Sequence, residues 1–284
     1  MAEGPRRCEL PTSVWPTAQQ TSRVQRVGRY LPESTAHPAR MLPATARQAI
    51  EAYTAPGDIV LDPMCGIGTT LVEAVHLGRQ AVGVEYEARW ADLARANLID
   101  AEASGAAGDW QVHTADARRM GRLVEPTLAG RVALVVTSPP YGASVHGQVR
   151  ARPGAGVAKA DCTYSTDRAN LAHVGTEALL AGFTEILTAC VPLLRPGGIV
   201  AVTARPWREH GALVDLPSAV LAAGEAAGLV PYERLVALLV GMRGDILVPR
   251  ASFFALDQVR KARQHGRPLR VIAHEDVLVL RNPA

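Results

Sequence analysis

Ile59-Val60-Leu61-Asp62-Pro63-Met64-Cys65-Gly66-Ile67-Gly68-Thr69-Thr70-Leu71 decides the fold class. A short apolar run ends in Asp-Pro, bends through two glycines and opens into helical spacing over about 69–77. Such a stretch reads as a buried strand, a tight turn and a helix, the repeating unit of a parallel sheet covered on both faces. Gly66 and Gly68 let the main chain approach a ligand that any side chain would block. A dinucleotide fingerprint would place a third glycine where Leu71 stands, so no pyrophosphate cradle is evident. An ordinary turn between strand and helix would read the same way, and the loop alone does not fix a ligand.

Outward from the loop the same unit repeats. A helix over 43–53 is stopped by Pro56-Gly57, and strands are expected over 81–84, near 111–114 and over 132–136, with a helix over 88–103. After Tyr141 the pattern breaks, and residues 142–170 carry glycines without a long apolar run. A helix over 176–194, a turn at Arg195-Pro196-Gly197-Gly198, a strand over 199–203 and a helix over 216–227 follow. Two late strands, near 234–240 and 271–280, are separated by a basic stretch. The expected architecture is α/β and Rossmann-like: a seven-stranded mixed sheet, its last strand antiparallel, with helices on both faces. Residues 1–36 read as an extended or loosely packed arm. Residues 37–284 read as one domain, with 142–170 a mobile target loop and 249–270 a basic insertion suited to minimal recognition.

Two acids join the glycine loop. Glu85 ends the second strand, where a carboxylate can accept both hydrogens of a ribose diol; Asp116 follows the third, within reach of an adenine amine. Each alone would also suit a solvated strand end. Val135-Val136-Thr137-Ser138-Pro139-Pro140-Tyr141 closes the fourth strand on the same edge. Two prolines stiffen the turn and remove two donors. The Ser138 hydroxyl and Pro139 carbonyl are then acceptors able to grip both hydrogens of a base amine and aim its lone pair at a sulfonium methyl. Tyr141 offers a flat ring for a base rotated out of a duplex. A rigid turn with a buried tyrosine is the alternative.

Charge adds a partner class. Residues 1–50 carry seven Arg against three Glu, and residues 250–270 six basic residues against Asp257, whereas residues 51–249 hold 16 basic and 21 acidic. Two basic arms flank an acidic centre, as suits phosphate contacts, although solvated surface would look alike. Four cysteines without C-x-x-C spacing, and histidines (His37, His113, His146, His274) without ligand spacing, suggest neither metal nor disulfides. No stretch reads as a transmembrane span and the N-terminus lacks a signal-peptide core, so a cytoplasmic protein is expected. Trp207 and Arg208 suit either a base pocket or a plain loop.

With these residues in view, the chain resembles the amino-methyltransferases, which methylate exocyclic amines of bases with S-adenosylmethionine. The resemblance spans roughly 36–281 with gaps. It implies cofactor contacts from Asp62, Pro63, Cys65, Gly66, Gly68, Thr69 and Thr70, with Glu85 on the ribose, Asp116 on the adenine and Ser138 at the methyl. His37 and Pro38, in His37-Pro38-Ala39-Arg40-Met41, resemble the family's N-terminal motif, which packs over the methionine part. The catalytic tetrapeptide matches at Ser138, Pro139, Pro140 and Tyr141, in the gamma motif order. Ser in the first position is usual among N4-cytosine enzymes, so DNA, by base flipping, leads as the substrate, in the manner of restriction-modification methylases. N6-adenine methylation of DNA and guanine-N2 methylation of tRNA are the alternatives, the latter usually with Asp-Pro-Pro-Tyr. From another class, the chain could be a non-catalytic nucleic-acid-binding module. A homodimer is among the expectations. The large target-recognition region of sequence-specific members is missing, which leaves 142–170 and 249–270 for that role.

Overall fold

The computed structural model describes residues 10–140, 148–152, 156–160, 170–171, 174–209, 212–250 and 253–283. The N-terminal half contains β1 (Val14–Trp15), α1 (Ser22–Arg26), α2 (Pro43–Tyr53), β2 (Ile59–Asp62), α3 (Thr69–His76), β3 (Gln80–Glu85) and α4 (Ala88–Ala103). Then come β4 (Trp110–Thr114), α5 (Gly121–Leu128), β5 (Val132–Thr137), β6 (Gln148–Arg152), β7 (Gly156–Ala160), α6 (Thr176–Cys190) and β8 (Leu194–Ala204). The chain closes with β9 (Trp207–Glu209), β10 (Ala212–Val214), α7 (Leu216–Ala226), β11 (Val230–Leu238), β12 (Val240–Arg243), β13 (Ile246–Pro249), α8 (Phe253–Gln264) and β14 (His274–Arg281).

One sheet organises the molecule, in the order β1-β11-β14-β8-β5-β2-β3-β4. The block from β8 to β4 is parallel, and β14 runs antiparallel to both β8 and β11. These are the seven strands and the reversed last strand that the sequence leads one to expect. The arm adds an eighth, because Val14 and Trp15 pair in parallel with Val236 and Ala237. Strands β2 and β5 are buried along their whole length, as the middle of a sheet covered on both faces requires. One apolar layer is built on Phe183, Leu187, Val200 and Leu278; the other on Ile50, Leu71, Leu98 and Val279. Gly83 lets α3 lie close to β3: a Cβ there would collide with Leu71 Cδ1 and stand 2.9 Å from Cys65 Sγ.

Three expectations change. The described part of the arm, 10–36, is packed rather than loose: Trp15 and Tyr30 are buried, and the fully buried Glu73 of α3 binds Arg29 and Tyr30. The turn at 195–198 belongs to the start of β8, where Gly197 (φ 71) marks an irregular register against β5. The basic insertion is longer than 249–270 and is structured as the β12–β13 hairpin followed by α8. Of the 142–170 loop, the strands β6 and β7 and Asn170 are described; its remaining residues lie outside the described ones. By length and composition one stretch, Thr176–Leu193, would qualify to cross a membrane, but Phe183, Ile186, Leu187 and Cys190 on α6 pack into the core.

Candidate active site

Adjacent parallel strands end side by side. Leu61 pairs with both Val82 and Val135, Glu85 with Thr114, and Thr137 with Val202. The carboxyl edge therefore collects Asp62, Glu85, Asp116, Ser138 and Thr203 around one cavity of about 350 Å³. This is the edge on which open α/β sheets bind ligands. The lining includes His37, Pro38, Asp62, Pro63, Cys65, Gly66, Thr69, Thr70, Glu85, Asp116, Ser138, Pro139 and Pro140. Gly68 does not line it; with φ 80 it caps the start of α3, and a Cβ there would stand 3.1 Å from Ala94 Cβ. Tyr141 lies outside the described residues.

The glycine bend is held from three sides. Gly66 N–H donates to Glu85 Oε2 at 2.8 Å, and Glu87 N–H donates to Glu85 Oε1 at 2.9 Å. The buried Asn97 of α4 donates to the Ile67 carbonyl at 2.9 Å and accepts from Leu31 N–H at 2.9 Å, so the arm and the loop share one amide. From above, a Cβ on Gly66 would stand 3.1 Å from His37 Nε2. His37 is itself buried, edge-on to Trp90 at 4.7 Å. Its Nδ1 accepts from Ala39 N–H, and burial, with Arg40 and Arg89 nearby, lowers its pKa to about 3. It is a neutral imidazole packed on the loop.

Electrostatics separate the two aspartates. Asp62 is buried and pushed up to about 6 by loss of solvent, against the pull of Thr70, the Met64 N–H and Thr137. The Thr70 and Thr137 hydroxyl oxygens are buried without a well-aligned hydrogen bond among the described residues. Asp116 lines the same cavity with its carboxylate already engaged. Its carboxylate caps the 117–119 turn and is clamped by Arg118, Oδ2 to Nη2 at 2.7 Å, which holds it below the usual carboxylate range. Sequence reading missed Arg118, Arg205, Asn170, Thr203, Leu239 and Glu275 on the cavity wall. No local pattern singles them out, because they arrive from separate strand ends. Trp207 packs against the core and is not part of the cavity lining. Among the described residues no His, Cys, Asp and Glu cluster has metal-site geometry.

A buried carboxylate with no ion pair among the described residues, two buried hydroxyls and a glycine at φ 54 whose Cβ would press on His37 fit a compact cationic nucleoside. S-adenosylmethionine is such a molecule. The fold is Rossmann-like: the crystal structure of TrmN from Thermus thermophilus superposes with a TM-score of 0.51 at 18% identity, covering 90% of this chain and 53% of that one. Residues 5–96 match the family model N6_N4_Mtase, described as DNA methylase. S-adenosylmethionine is the cofactor that goes with this fold and this match.

Two curated relatives are similar over the same kind of span. The tRNA (guanine(10)-N2)-dimethyltransferase of Methanocaldococcus jannaschii is 35% identical over 114 residues, 38% of this chain and 30% of that protein. The type II methyltransferase M.ScaI of Streptomyces caespitosus is 38% identical over 93 residues, 33% of this chain and 29% of its own length. The chain thus matches under a third of the length of these relatives.

Proposed function

We propose that the protein transfers a methyl group to an exocyclic amine of a nucleic-acid base, with N4 of cytosine in DNA as the target. One observation carries the reading: the Ser138-Pro139-Pro140 turn and the Gly66 bend line the same cavity, at the ends of adjacent strands. The bound cofactor supplies an electrophilic methyl on a sulfonium. Asp62 faces its ammonium group, Glu85 accepts from the ribose hydroxyls, and Asp116 with Arg118 borders the purine. His37 and Pro38 close the site over the methionine part.

The Ser138 hydroxyl and the Pro139 carbonyl accept the two hydrogens of the target amine. That grip turns the nitrogen lone pair toward the methyl, and orientation rather than a covalent enzyme intermediate lowers the barrier. Tyr141 stacks on the extruded base. The arm and the 37–284 domain act as one catalytic unit, with 142–170 near the target and 249–270 on the phosphates. The protein works in the cytoplasm, apart from any membrane, and sedimentation tests whether it pairs as a homodimer.

Methylation of guanine N2 in tRNA is the second reading, favoured by the 35% identity to the archaeal dimethyltransferase. Serine in the first catalytic position and the DNA methylase match of 5–96 support DNA instead. The test is nucleoside mass spectrometry after incubating the protein and methyl donor with DNA or with tRNA. N4-methylcytosine in the DNA is the expected product; methylguanine in the tRNA, with unmodified DNA, would favour the second reading.

A further inference from the structure

Strands β11 and β14 pair as far as Leu238 opposite His274. The chain leaves at Leu239 and returns at Ala273, where Leu239 N–H donates to the Ala273 carbonyl at 2.8 Å. Because β14 meets β8 with Asp276 opposite Ala204, this exit lies on the carboxyl edge, and Leu239 and Glu275 both line the cavity. Everything from 239 to 273 is therefore an insertion rooted at the cavity mouth.

Its first part is the β12–β13 ribbon, with Met242 opposite Leu247 and Arg243 opposite Ile246, closed by Gly244-Asp245 with Gly244 at φ 59. A two-residue turn of this kind gives a tight, twisted hairpin. Val240 at its base is buried, but the side chains toward the turn are not: Met242 is 49% exposed, Ile246 64% and Leu247 51%. Large aliphatics gathered at the tip of a ribbon mark a surface that something covers. The ribbon is braced by the arm, since the Gln19 side chain accepts from Met242 N–H at 3.2 Å and the Gln19 carbonyl accepts from Arg250 at 3.2 Å. Next in the chain, Arg260, Lys261, Arg263, Arg267 and Arg270 are all exposed. Between 240 and 270 seven basic residues face two acidic ones.

We infer that the Met242/Ile246/Leu247 tip is a wedge that enters the base stack of duplex DNA at the target site, while the basic residues of α8 and the segment after it hold the phosphates. The inference rests on the methyl-transfer reading in one respect: an amine inside a duplex must leave the stack to reach Ser138. The vacated step has apolar base faces above and below, and aliphatic side chains fill such gaps in other DNA-bending proteins. The positive charge of the insertion complements the phosphates on either side. A two-stranded ribbon also fits the major groove of B-form DNA, whereas the deep, narrow groove of duplex RNA excludes it.

The test needs no methyl transfer. Anisotropy titrations of the full chain compare a fully paired DNA duplex with the same duplex carrying one central mismatch, which is already partly opened. The parent protein should bind the mismatched duplex roughly tenfold more tightly, because unpairing has been done in advance. Met242→Ser/Ile246→Ser/Leu247→Ser should abolish that preference, so that the variant binds the two duplexes with the same affinity. The single Ile246→Ser should reduce it, with circular dichroism verifying that both variants are folded. Arg260→Gln/Arg263→Gln should weaken both duplexes alike. No preference in the parent, an undiminished preference in the triple variant, or wedge-dependent binding of mismatched RNA but not DNA would overturn the inference. A protein that passes this test yet methylates nothing would lose the proposed function alone.

Discussion

The Gly66 amide donates to Glu85 Oε2 at 2.8 Å, tying the bend after β2 to the end of β3. Ordinarily an acid on a strand end and a glycine loop 19 residues earlier have no obligation to meet. Here the parallel pairing of β2 with β3 brings them together, and the same carboxylate also accepts from Glu87 N–H. The loop is thus shaped before any ligand arrives.

Removing that carboxylate costs twice, through the lost ligand contacts and through the buried Gly66 N–H it leaves behind. Glu85→Ala should weaken S-adenosylmethionine binding by about 1.5–3 kcal/mol, roughly ten- to a hundredfold, as for hydrogen bonds to a charged group. Isothermal titration reads this directly. An unchanged affinity would remove Glu85 from the cofactor.

Asp62 gives a pH signature. Its folded pKa, about 6, lies above its ordinary value of 3.8, so between these values the folded protein holds a proton that the unfolded chain has lost. Its contribution to stability is full below about pH 4 and disappears as pH rises through 6, a change of order 1–3 kcal/mol in the ligand-free protein. Asp62→Asn should therefore raise the melting temperature at pH 8 more than at pH 5. The ionised form is the one that attracts a cationic donor, so the parent's donor affinity should climb across pH 6 and the variant's should stay level. Equal melting gains at both pH values would contradict the assignment.

Glu73 holds the arm. Its fully buried carboxylate accepts from Arg29 at 2.7 and 2.9 Å, from Arg47 at 2.9 and 3.1 Å and from Tyr30 at 2.8 Å. Glu73→Ala would leave the buried Tyr30 hydroxyl without its acceptor and two partly exposed guanidinium groups without their carboxylate, a loss of about 1–3 kcal/mol. Chemical denaturation should show that loss, together with faster proteolysis within 20–36. Full stability in the variant would mean that the arm is held elsewhere.

The alternation of strands and helices was legible because buried parallel strands write themselves as short apolar runs, such as Val132–Thr137. The cavity's glycine, Gly66, and its acids were legible because they sit just after strand ends, where chemistry concentrates. Glu73 was hidden: a charge buried by partners 26 to 44 residues away leaves no local trace. The arm was misread for the same reason, since Val14-Trp15 and Tyr30-Leu31 are short apolar pairs with no periodic run around them. Asp116 was half legible, because a pair with Arg118 two residues on looks like any exposed acid next to a base. The β12–β13 ribbon escaped because its apolar residues resemble core strand and show their exposure only in three dimensions.

The account turns on Ser138 facing the donor across one cavity. The most direct measurement is methyl transfer to duplex DNA from a labelled donor, by the parent and by Ser138→Ala, with donor affinity titrated on the same preparations. Transfer by the parent is expected, falling about 100-fold in the variant as the amine loses its orienting acceptor, while donor affinity stays nearly constant. Equal transfer by both proteins, or loss of donor binding in step with turnover, would contradict it.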